Sequence, residues 1–329
     1  MNSSGFSASF DSSSRRQFLK GSTLGAAAVC VSPFSLFAKE KKSATPKARG
    51  CTLGFSTYGM KSLPTEKALT VLSEIGFDAV ELAVRTGWDA DSAKLGKKRR
   101  QAIRKQLQDL PLRLTSLMEH VFPTDDRNQA EALKRLKLAA ELAHELSPEN
   151  PPLIQTVLGG GDFEKIKNPM LDRLAEWVKV ADATQTTIAI KPHRGGGVSK
   201  PSEAVWLIEQ LDKPPRLRMV YDYSHYAFRG LPLTETIQTA LPYTAHIAVK
   251  DAVQEKGRVR FDLPGQAGTI DFPELIRQFD AGGYQGDFNC EVSGHVSGQP
   301  GYDSITAAKT CYTNMSAAFQ KSGVSRAEI

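Results

Sequence analysis

The sequence predicts one closed (β/α)8 TIM barrel, and three observations predict it. Between residues 51 and 322, short apolar runs alternate with helical patterns eight times. The runs are apolar throughout rather than every second residue, as in parallel strands buried on both faces. No glycine-rich nucleotide turn follows the first run, so a closed barrel is favoured over an open doubly wound sheet.

Each unit can be placed in order. Residues 52–56 form the first strand, and Pro64 starts a helix that Gly76 ends. Residues 79–83 are the second strand, with a helix over 92–109. The third strand spans 112–117. Its helix, near 126–146, sets Leu133, Leu136, Ala140, Ala143 and Leu146 on one face. Residues 152–158 are the fourth strand, closed by Gly159-Gly160-Gly161, with a helix near 170–183. The fifth strand covers 187–190 and its helix 201–211. The sixth covers 217–221, with a broken helix to about 240. The seventh covers 245–249, followed by a long loop over 251–270 and a helix at 273–281. The eighth covers 286–290, and a last helix spans about 302–320.

Residues 1–38 stand apart. Ser14-Arg15-Arg16-Gln17-Phe18-Leu19-Lys20 has the pattern of a twin-arginine export signal, followed by a weakly apolar, small-residue stretch to Ala38. This predicts an exported, periplasmic or otherwise extracytoplasmic protein, the twin-arginine machinery as a partner, and no stable membrane anchor in the mature chain. Residues 39–50, rich in Lys, Ser, Ala and Pro, read as a flexible linker. The barrel domain is expected over 51–322.

Charge excludes little but points away from nucleic acid. The whole chain is +6, and without residues 1–38 it is +4, from 39 basic and 35 acidic residues. The single basic cluster, Lys97-Lys98-Arg99-Arg100, sits in a helical pattern and reads as a solvated face. Cys51, Cys290 and Cys311 show no paired spacing. A Cys51–Cys290 bridge between neighbouring strands is possible, and buried free thiols fit better.

Five strands carry charge or imidazole near their C-terminal ends: Glu119-His120, Lys191 with His193, Asp222 with His225, Lys250-Asp251 after His246, and Glu291 with His295. Such groups are costly there unless they find partners. Barrel enzymes place their sites at this end, so a shared polar site is expected. Each residue also has a plainer role open to it. Asp222 could cap a helix, Glu291 could pair with a barrel lysine, Lys250 could be solvated, and the Gly195-Gly196-Gly197 run after His193 could be a surface turn. His144, mid-helix, reads as surface or core.

Several segments together resemble the sugar phosphate isomerase/epimerase group of xylose isomerase-like barrels, the superfamily that also holds endonuclease IV. They are Gly76-Phe77-Asp78-Ala79-Val80-Glu81-Leu82, Asp222-Tyr223-Ser224-His225, His246-Ile247-Ala248-Val249-Lys250-Asp251, the Gly265 to Phe272 segment, and Glu291. The resemblance implies an enzyme that moves a proton beside the carbonyl of a small carbohydrate or keto-sugar. A lyase or hydrolase of oxidised sugars, or a binding barrel without catalysis, are the alternatives. It implies a divalent metal (Mn, Mg, Co or Zn) held by Asp222, Glu291 and His246. Glu291, Lys191 and His225 are the expected catalytic residues; His193, Lys250, Glu81 and His120 would bind substrate. Two positions depart from the pattern: Lys191 stands where a ligand Glu is expected, and Ala248 where a His is expected. An ammonium has no lone pair to give a metal. Either the ligands shift, or Lys191 and Lys250 supply the positive charge themselves.

Overall fold

A computed structural model describes residues 50–327. The twin-arginine pattern and most of the linker lie outside the described residues. Eight parallel strands close a barrel: β1 (Thr52–Ser56), β2 (Ala79–Ala83), β3 (Arg113–Met118), β4 (Leu153–Thr156), β5 (Ile188–Ile190), β6 (Leu217–Tyr221), β7 (Thr244–Val249) and β10 (Asp287–Cys290). They follow in chain order around the barrel, and β10 pairs with β1 to close it, with Phe55 beside Cys290. Two further strands, β8 (Asp251–Glu255) and β9 (Arg258–Asp262), make an antiparallel hairpin where the sequence predicted a plain loop. Its turn uses Gly257 at φ +74°.

Helices cover the outside: α1 (Thr65–Ile75), α2 (Lys97–Asp109), α3 (Asp126–Leu146), α4 (Phe163–Thr184), α5 (Pro201–Gln210), α6 (Ser224–Ala227), α7 (Leu233–Ala240), α8 (Phe272–Ala281), α9 (Gly294–Ser297) and α10 (Ser304–Ser322). The caps follow local chemistry. Asp125, Asp162, Asp271 and Asp303 each accept a backbone N–H at a helix start, and Gly76 ends α1 in the left-handed conformation. The second helix begins at Lys97, not at residue 92, because residues 92–96 are tied back instead; Ser92 N–H donates to the Val84 carbonyl. Helix α4 starts at Phe163, seven residues before expectation, with Pro169 inside it.

In the basic cluster Lys97 and Lys98 are exposed, as a solvated face requires, while the two arginines act as a staple. Arg99 bridges Glu66 and Asp89, and Arg100 reaches Glu141, Glu145 and two carbonyls. Cys51, Cys290 and Cys311 are buried free thiols. His144 is structural, with Nε2 2.8 Å from the Thr184 carbonyl.

The main apolar core lies between strands and helices, around Leu53, Phe55, Leu72, Phe77, Trp177 and Phe288. Inside the barrel the filling is layered. Alternation along a strand sends every second side chain inward. Ala189, Val220 and Ala248 pack together as a thin apolar layer, with Leu153 against them. Two residues further along the same strands come Lys191, Asp222 and Lys250, at the C-terminal mouth. Gly54 leaves room for another inward residue: a Cβ there would stand 2.8 Å from Asn289 Oδ1.

Candidate active site

Above the apolar layer, four charged side chains form a closed square. Lys191 Nζ is 2.9 Å from Asp222 Oδ2 and 2.6 Å from Glu291 Oε2. Lys250 Nζ is 2.9 Å from Glu291 Oε1 and also pairs with Asp222 Oδ2. All four are buried, Glu291 the most open at 8 % exposure. Two ammoniums against two carboxylates leave no net charge. Burial opposes the Lys191 charge, but Asp222 and Glu291 outweigh it and hold the pKa above its ordinary value. The two lysines likewise outweigh burial at Glu291 and at Asp222, and both carboxyls lie well below their usual range.

His225 stands beside the square rather than in it. It is fully buried, with Nε2 3.3 Å from Asp222 Oδ2 and Nδ1 accepting from the Arg194 backbone N–H at 3.3 Å. Burial lowers its pKa to about 3, so it is neutral. It touches the square only through Asp222. Ser224 adds a 2.5 Å hydrogen bond to Asp222 Oδ1.

His193 is half-buried at the rim and packs on His225, ring centroids 4.1 Å apart. Burial and then Lys191 and Lys250 lower its pKa to about 4. Gly195, Gly196 and Gly197 follow it in a loop. They let it press against the loop after β4: Gly197 N–H donates to the Gly159 carbonyl at 2.7 Å, and a Cβ on Gly197 would strike Ile166 at 2.2 Å. His120 also reaches the rim, with Nδ1 2.6 Å from Arg85 Nη2. Desolvation, Arg85 and His193 lower its pKa to about 4.

His246 lies two residues before Ala248 on the same face and so sits deeper, and Glu81 meets it there. His246 and Glu81 belong below the apolar layer, not at the mouth. His246 Nδ1 is 3.0 Å from Asp287 Oδ1, and its Nε2 is 3.2 Å from Glu81 Oε2. Glu81 is fully buried, with hydrogen bonds from Ser56, Ser116, Gln155 and Asn289. Despite burial, Asp287 and Glu81 raise the His246 pKa to about 10. His246 is thus engaged by Asp287 and Glu81, and Glu81 by its four donors, and neither lies open at the mouth.

Sequence reasoning missed three rim residues, Arg85, Trp88 and Phe261. Arg85 lies over the rings of Tyr58 and Trp88, at 5.2 and 4.7 Å, and those rings stack at 5.3 Å. Phe261, on β9, caps the square with its ring 5.2 Å from Lys250 Nζ and 5.1 Å from both the His225 ring centroid and Arg194 Cζ. The strand-end position of Arg85 was a usable signal; nothing local marks Phe261.

A family model for the xylose isomerase-like TIM barrel matches residues 69–310. The chain belongs to that family. Inosose dehydratase of Geobacillus thermodenitrificans is 26 % identical over 138 residues, 37 % of this chain and 46 % of that protein. A putative hydroxypyruvate isomerase of Mus musculus is 30 % identical over 91 residues, 28 % of this chain and 30 % of that one. The chain thus spans less than half the length of the curated relatives it matches. Among solved structures, the IolI protein with a bound zinc atom superposes with a TM-score of 0.66 at 16 % identity, covering 82 % of this chain and 98 % of that one.

A divalent ion does not fit the donors as they are arranged here. Asp222 Oδ2 and both Glu291 oxygens are taken by ammoniums, and Asp222 Oδ1 by Ser224. Among the described residues, no three His, Cys, Asp or Glu side chains are grouped to hold an ion. Lys191 Nζ stands between the two carboxylates that a cation would bridge.

Proposed function

We propose that the protein is a carbohydrate isomerase, epimerase or dehydratase that removes a proton beside a carbonyl, with Lys191 and Lys250 doing the electrostatic work of a divalent ion. The single observation that carries this is the seat of Lys191 Nζ, 2.9 Å from Asp222 and 2.6 Å from Glu291. Bound substrate would present its carbonyl oxygen to these ammoniums. Charge that develops on that oxygen is stabilised in a site shielded from water. Glu291 accepts the proton. In the free protein the lysines hold it too acidic to be a good base. As the substrate oxygen draws the same ammoniums away, the carboxylate regains basicity, so base strength grows with the charge it creates. The enolate then either takes a proton back on carbon, which gives isomerisation or epimerisation, or breaks its β C–O bond, the hydroxide leaving as water with the proton held by Glu291, which gives elimination.

The test is deuterium exchange from D2O into a panel of small ketoses and oxidised sugars, after purification with a chelator. Exchange should persist, and Lys191→Met should slow it by about a thousandfold. Turnover that appears only on adding a divalent ion would overturn the lysine mechanism. The reaction is further proposed to occur outside the cytoplasm, on the strength of Arg15-Arg16. Replacing both with Lys should leave the protein in the cytoplasmic fraction; unchanged fractionation would refute export by this route.

A further inference from the structure

The floor of the site is neutral, but its rim is not. Asp222 and Glu291 are matched by Lys191 and Lys250. The other carboxylates around the mouth are engaged two to a guanidinium: Glu119 and Asp91 share Arg135, Glu66 and Asp89 share Arg99, and Glu255 and Asp262 share Arg260. The rim imidazoles, His120 and His193, are neutral at pH 7. That leaves Arg85 and Arg194 without a carboxylate partner among the described residues, and Arg194 Nε is buried with no hydrogen bond. Each guanidinium lies against aromatic rings, Arg85 over Tyr58 and Trp88, Arg194 over Phe261. A stacked guanidinium is held in place; Arg85 Nη2 also binds His120 Nδ1, which leaves its other N–H groups to meet a ligand. A cavity of about 230 Å³ is lined by Arg85, Glu119, His120 and Arg135, and another of about 640 Å³ opens beside Tyr58, Trp88 and Tyr302.

We propose that the mouth selects an anionic carbohydrate, a sugar acid whose carboxylate is held by Arg85 while its carbonyl lies over Lys191 and Lys250, with Arg194 extending the positive field. One planar fork beside one imidazole matches two coplanar oxygens, which favours a carboxylate over a phosphate. The proposal rests on the reading of the ion square as the substrate site, and it is tested by binding rather than turnover.

Calorimetry on the full chain, with glucuronate, glucose and glucose 6-phosphate as probes, separates the outcomes. Glucuronate should bind at least about tenfold more tightly than glucose, and the advantage should shrink with added salt. Arg85→Gln should bring the ratio near one, whereas Arg85→Lys should keep part of it. Equal binding of the two sugars, no binding of glucuronate, an unchanged ratio in Arg85→Gln, or preference for glucose 6-phosphate would each overturn the proposal. Charge discrimination without deuterium exchange would instead sink the chemistry and leave this inference standing.

Discussion

The barrel interior holds two buried charged regions, separated by the thin layer of Ala189, Val220 and Ala248. In the lower one, Glu81, His246 and Asp287 are fixed by hydroxyl and amide donors from Ser56, Ser116, Thr115, Gln155 and Asn289. In the upper one, Asp222 and Glu291 are held mainly by two ammoniums on flexible stems, under a rim of imidazoles. Both regions are ionised and nearly dry. What separates a scaffold from a site here is therefore not charge or burial. It is whether the partners can be exchanged for a substrate. Short, rigid donors on neighbouring strands cannot leave their carboxylates, whereas a lysine head can swing between two acceptors.

The same kind of substitution should then act differently in the two regions. The largest effect is expected from His246→Leu, which leaves Glu81 and Asp287 buried without their cation. Stability should fall by about 3–5 kcal/mol, read from denaturant midpoints. A loss below about 1 kcal/mol would break the comparison, because the lower network would then be no scaffold. Next comes Glu291→Gln, in the upper region. It should lower turnover by roughly a hundredfold or more while the melting temperature moves little. Near-full turnover would remove Glu291 from the chemistry. Lys191→Glu sharpens the point: it sets three carboxylates together, so the variant alone should gain thermal stability on adding Mn2+ or Zn2+. A gain of the same size in the wild type would contradict the lysine reading.

The two regions should also titrate in opposite directions. The folded pKa of His246, about 10, lies above the ordinary 6.5. Its stabilisation is complete below pH 6.5 and is lost as pH climbs toward 10. The folded pKa values of His193, about 4, and His225, about 3, lie below 6.5. Their contribution is present above pH 6.5 and is lost as pH falls toward 3. Denaturant midpoints across pH should therefore drop on both sides, and His246→Leu should flatten only the alkaline arm. The smallest effect is expected from Phe261→Ala, which lets water onto the square. Turnover should fall roughly tenfold through weaker electrostatics, with folding hardly changed; no change would mean that the hairpin shields nothing.

Local pattern made much of this legible. Buried apolar runs, capping aspartates and helix-stopping glycines mark the eight units because each acts within a few residues. The convergence of Lys191, Asp222, Lys250 and Glu291 on one end was also readable, since parallel strands in a barrel all finish on the same face. The hairpin was not. Residues 251–262 carry too few apolar positions to announce strands, and the pairing Ala252–Phe261 exists only once the two segments meet.

By itself the sequence determined which residues of a strand share a face, because side chains alternate with a period of two, and it set Lys191, Asp222, Lys250 and Glu291 at strand ends. Only the tertiary structure decided depth. His246 and Lys250 share one strand and one face, yet His246 meets Asp287 and Glu81 while Lys250 meets Asp222 and Glu291. The stagger between neighbouring strands sets which layer each side chain joins. That stagger is a property of the closed barrel. No local run of residues encodes it, so parity could be read from the chain but the partner could not.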